Sequence, residues 1–98
     1  MELTRDEVFT KKDCIPMTEC GDIEGEIVVV PAEALAEPYR KPKFQLWKAG
    51  GGFGCRDHTT GQAVYARCLA DDENARWRRH DFIGVLKEEV AEEVGLNE

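Results

Sequence analysis

Ala63-Val64-Tyr65-Ala66-Arg67-Cys68-Leu69 alternates with a period of two, and that period decides the fold class. In an extended chain Val64, Ala66 and Cys68 fall on one face and Tyr65, Arg67 and Leu69 on the other. The same period starts upstream at Lys43, where Phe44 and Leu46 face one side and Gln45 and Trp47 the other. Downstream, Asp71-Asp72-Glu73-Asn74 reads as a polar turn, and Arg76 to Val85 reads as further strand broken by Asp81 and Gly84. Earlier in the chain, the β-branched run Glu26-Ile27-Val28-Val29-Val30, set between Gly25 and Pro31, is the best candidate for a central strand. A β-meander is the simplest arrangement of these segments.

Helical patterns flank the strands. Thr4 and Glu7 form a capping box with Leu3 positioned to staple onto Val8, so a short first helix is expected to end before Pro16. Pro31-Ala32-Glu33-Ala34-Leu35 suits a single helical turn with proline at its start, and Pro38 and Pro42 bracket an extended connector. Leu86, Val90 and Val94 recur at four-residue spacing, with Glu88, Glu89, Glu92 and Glu93 on the other faces and Gly95 as a C-terminal cap. The expected fold is therefore α+β: one domain over residues 1–98, built on a curled antiparallel sheet of four or five strands or a small open barrel. A short N-terminal helix and a C-terminal amphipathic helix complete it.

Composition narrows the function classes. No run approaches the ~20 apolar residues of a membrane span, and the first apolar run is interrupted by Arg5, Asp6 and Glu7, unlike a secretory signal. A cytoplasmic location is expected, in which four cysteines imply reduced thiols or metal ligands more than disulfides. Residues 1–37 set ten acids against Arg5, Lys11 and Lys12, residues 38–70 set six bases against Asp57, and residues 71–98 are acidic again, within a net charge of −7. Such a chain is repelled as a whole from phosphate backbones and attracted to basic partners, so tight binding to duplex DNA is not expected.

Phe44-Gln45-Leu46-Trp47, Gly51-Gly52-Phe53-Gly54-Cys55, Gly61-Gln62-Ala63-Val64-Tyr65, Ala75-Arg76-Trp77 and Asp81-Phe82-Ile83-Gly84, with the opening Val8 to Met17, resemble a family of short proteins. That family is carried by conjugative elements and phages of Gram-positive gut bacteria and is similar to a domain associated with large polyvalent proteins. The resemblance covers most of the chain and implies a mobile-element accessory role. It carries over no activity, substrate or catalytic residue.

Four constellations bear on chemistry. Gly50-Gly51-Gly52-Phe53-Gly54 offers bare amides to an anion, but it lacks the ending of a Walker loop and reads first as a strand connection needing positive φ angles. Cys14, Cys20, Cys55 and His58 are the right ligand types for a structural zinc site joining the N-terminal loop to the glycine loop, with His80 as substitute ligand and Cys68 in the core. Cys55 with His58 or His80 and Asp57 or Asp81 is the arrangement a small thiol enzyme would need. Arg76, Arg78 and Arg79 around Trp77 form the densest basic and aromatic cluster, a nucleic-acid contact or a solvated ladder over a core tryptophan.

The leading expectation is a non-enzymatic accessory that docks on another protein with a basic surface through Glu88, Glu89, Glu92 and Glu93. An inhibitor of a host defence nuclease, of anti-CRISPR or anti-restriction type, is one form of it. The alternatives are a nucleic-acid-binding accessory in element transfer and a small zinc or thiol enzyme.

Overall fold

The computed structural model describes Leu3, residues 5–56 and residues 61–96. Six strands form one antiparallel sheet: β1 (Cys14–Pro16), β2 (Ile27–Val29), β3 (Leu46–Gly51), β4 (Ala63–Cys68), β5 (Asn74–Arg78) and β6 (Gly84–Leu86). Their spatial order is β1-β6-β2-β3-β4-β5, open at both ends. The expected meander is present as β3-β4-β5, but β6 crosses back to lie between β1 and β2. The sheet thus has six strands where four or five were expected, because residues 14–16 pair with residues 84–86 across most of the chain length. Gly84 makes that pairing possible. A Cβ there would strike the Ile15 carbonyl, so the residue read as a strand breaker instead begins β6.

Register assigns the faces, since directly opposed residues point the same way. Ile15, Val85, Val28, Trp47 and Cys68 form one row across five strands. Val85, Val28, Trp47 and Cys68 of that row, with Met17, Ile23, Val30, Ala49, Cys55, Val64, Ala66 and Phe82, build the larger core cluster, onto which Trp77 packs edge-on to Trp47 with ring centroids 5.3 Å apart. The opposite face divides in two. Its β1-β6-β2 half carries Cys14, Leu86 and Val29 and is covered by Phe9, Val90 and Val94. Its β3-β4-β5 half carries Lys48, Tyr65, Arg67, Asn74 and Arg76 and is open to solvent.

Helical content is smaller than the sequence patterns imply. Residues 5–10 form no helix, Lys11–Asp13 makes a single 3-10 turn, and Thr4 of the expected capping box lies outside the described residues. The local reason is Asp13: its carboxylate accepts from the Thr10 amide at 3.0 Å and from the Arg5 guanidinium at 2.8 and 3.1 Å, fixing a tight turn. Phe9 is then held like a strand residue by buried Gln45, whose Oε1 accepts from the Phe9 amide at 2.7 Å and whose Nε2 donates to the Phe9 and Val30 carbonyls. Gln45 ends a one-turn helix, α1 (Pro42–Gln45), so the extended period expected from Lys43 starts only at Leu46. Ala32–Ala34 forms the expected turn behind Pro31.

The C-terminal helix is α2 (Glu88–Glu93), with Glu88 and Glu89 in its first turn, where negative charge suits the helix dipole, and Gly95 just past its end at φ +86°. Val90 and Val94 are buried as expected, each worth about 1.5–3 kcal/mol of apolar burial. Leu86 joins the same cluster from β6 and not from the helix. No helix among the described residues is long and apolar enough to cross a membrane.

Candidate binding surfaces

Arg79 settles how the two loops at one end of the sheet are held. It follows β5 in a 3-10 turn (Arg79–Asp81) and is 3% exposed. Its Nη1 donates to the carbonyls of Gly54 (3.2 Å) and Cys55 (2.8 Å). Its Nη2 donates to those of Cys20 (2.7 Å), Gly21 (2.7 Å) and Met17 (3.4 Å). No carboxylate among the described residues lies within ion-pair distance of it. A guanidinium is suited to this because its planar fork spans acceptors from two separate segments at once. An arginine side chain thus links the N-terminal loop and the glycine loop, the two segments that the expected zinc site would also join. Arg79 is consequently not on the surface with Arg76 and Arg78.

The cysteines are distributed, not converged. Cys14 lies in the cluster under α2, Cys55 and Cys68 lie in the opposite core, and Cys20 packs at the margin of the latter. His58 lies outside the described residues, as does Asp57, and among the described residues no three His, Cys, Asp or Glu side chains form a metal-holding group. Burial pushes the Cys14 thiol up to about 12, and burial likewise raises Cys20, Cys55 and Cys68. Cys55 donates to the Gly51 carbonyl at 3.3 Å, while His80 sits on the surface 3.7 Å from Asp81.

The glycine run is shaped mainly by close approach. Of Gly50, Gly51, Gly52 and Gly54, only Gly52 has a positive φ, at +105°. A Cβ on Gly54 would strike the Gln62 carbonyl, with Val64 Cγ2 at 2.8 Å, so glycine lets this segment lie against β4.

Two grooves among the described residues are of opposite character. The first, about 510 Å³, runs between residues 19–27 and the start of α2. Its rim carries Glu19, Asp22, Glu26 and Glu88 and its floor Ile15, Val85 and Ala91; among the described residues no lysine or arginine lines it. Ile15 is 39% exposed there. Of the glutamates marked in the sequence, Glu88 joins this rim, Glu89 and Glu92 continue the acidic outer side of α2, and exposed Glu93 adds negative field at Arg5. The acids contributed by residues 19–26 escaped a reading that looked only at the helix period.

The second groove, about 750 Å³, lies on the open half of the sheet. Lys48, Arg67, Asn74, Tyr65 and Arg76 line it, with Glu24 the one carboxylate among the described residues. Lys48 stands directly opposite Arg67, and Tyr65 opposite Arg76. Beyond Tyr65 a further recess of about 400 Å³ is lined by Phe53, Arg56 and Gln62. Sequence reading marked Arg76 and Arg78 as a cluster; Lys48 and Arg67 fell within its basic stretch of residues 38–70 but were not singled out as a site.

Comparison of the chain with protein-family models, with curated proteins and with solved structures finds no match to any of them.

Proposed function

We propose that the protein is a non-enzymatic binding accessory that docks on a basic surface of another protein through the acidic groove beside α2. The observation carrying this reading is the groove itself: four carboxylates around an apolar floor, of which Asp22 alone is paired, to Arg56 at 3.6 Å, with no lysine or arginine among its described lining residues. An apolar centre with a charged rim is the arrangement that seats a protruding side chain while complementary charges set register and association rate. A partner segment bearing lysine or arginine beside one apolar anchor fits it. In the mobile-element setting implied by the family resemblance, the nucleic-acid-binding surface of a host defence nuclease has that chemistry, and covering it would inhibit the nuclease.

The test is capture from host extract by the native protein and by a Glu19→Lys, Glu88→Lys double variant. The same partner should be retained by the first, progressively less as salt rises, and lost by the second. Equal capture by both forms would place the contact elsewhere and end this reading.

A further inference from the structure

We infer that the open face of β3, β4 and β5 is a second binding surface, for single-stranded nucleic acid recognised by its backbone charge and by base stacking. This surface is separate from the acidic groove and does not rest on the reading of it.

Lys48, Arg67, Arg76 and Arg78 project from consecutive strands of one half-face in a chain whose net charge is −7. Like charges directly opposed across a strand pair destabilise it, yet Lys48 faces Arg67. Only partial relief is built in. Arg67 has Asp72 at 3.7 Å, both well exposed, and Arg78 donates to the Gly61 carbonyl at 2.6 Å, whereas Lys48 and Arg76 make no ion pair among the described residues. Among the described residues two carboxylates border this surface: Glu24, already engaged by Arg56 at 3.8 Å, and Asp81, which accepts from the Arg78 amide at 2.9 Å and has His80 at 3.7 Å. A polyanion laid across the strands would neutralise the opposed cations.

Aromatic rings distinguish a nucleic acid from a merely acidic partner. Tyr65 is 55% exposed in the middle of the cations, and Phe53 is 75% exposed in the adjoining recess. Both recesses share Tyr65, so a strand following them meets charge, ring and charge in turn. Exposed rings interleaved with cations on an open sheet are the elements of sequence-tolerant single-strand binding. Duplex DNA hides its base faces and cannot stack on Tyr65.

The experiment uses the full chain and a fluorescent oligo-dT of about 16 nucleotides, near the upper site size for one small binding domain. Anisotropy should show saturable binding at low salt, with log affinity falling against log salt at a slope of about −2 to −3 for four neutralised phosphates. Arg76→Gln should reduce that slope by about 0.7. Tyr65→Ala should lower affinity about fivefold or more at an unchanged slope. A matched duplex should bind at least tenfold more weakly, and the Glu19→Lys, Glu88→Lys variant should keep oligonucleotide binding even where it loses the protein partner. All substituted positions are exposed, and unchanged melting temperatures would show each variant folded. Absence of saturable oligo-dT binding at low salt overturns the inference, as does equal affinity for polyglutamate of matched length or an unaffected Tyr65→Ala.

Discussion

Replacing Arg79 by methionine keeps much of the buried volume and removes all five hydrogen bonds from Nη1 and Nη2. Three of those are 2.7–2.8 Å, and a hydrogen bond from a charged donor contributes about 1.5–3 kcal/mol net. Against their sum stands the desolvation of a guanidinium with no carboxylate within ion-pair distance among the described residues, several kcal/mol in a protein interior. The carbonyls of Cys20, Gly21 and Cys55 would also lose their shared donor. We expect a net loss of about 3–5 kcal/mol, against a total stability of about 5–15 kcal/mol for a domain of this length. Arg79→Lys should recover only part of it, because an ammonium is a point donor and cannot bridge both loops. Urea titration is the assay: the midpoint should fall with the slope unchanged, and Arg78→Ala on the surface should stay within about 0.5 kcal/mol of the parent. If Arg79→Met lost less than about 1 kcal/mol, the carbonyl cage would not be holding the loops and the reasoning would fail.

Val90→Asp places a carboxylate in the cluster formed by Phe9, Val29, Leu46, Leu86 and Val94, and should lower stability by about 3 kcal/mol or release α2; an unchanged thermal melt would show that the helix is not docked there. At Asp13, burial pushes the carboxyl up, but the Arg5 hydrogen bonds and the Thr10 amide outweigh it and hold it below its ordinary value. Its contribution is therefore fully present above about pH 4 and lost as pH falls through the lowered folded value. Asp13→Asn should cost about 2 kcal/mol near neutrality and flatten the acid limb of stability against pH, measured as urea midpoints; an acid limb identical to the parent's would assign the acid sensitivity to other groups.

Strand alternation and the terminal apolar stripe were legible in the sequence because each depends on neighbours a few residues apart. The period of two in 63–68 correctly buried Val64, Ala66 and Cys68 and exposed Tyr65 and Arg67. Val90 and Val94 were readable for the same reason, as was the open, antiparallel α+β character. The N-terminal capping pattern misled, because local propensity there yields to Asp13 and Gln45, partners set 3 and 36 residues away from the groups they bind.

What only the tertiary structure decided depends on long-range register. No local signal could insert β6 between β1 and β2, turn Arg79 inward onto carbonyls 58–62 residues distant, or place Lys48 beside Arg67. Net charge read along the chain likewise hid the separation of an acidic groove from a basic, aromatic sheet face. A strand pattern specifies which side a residue faces, whereas the pairing of distant strands specifies which residues share that side, and surface function belongs to the second.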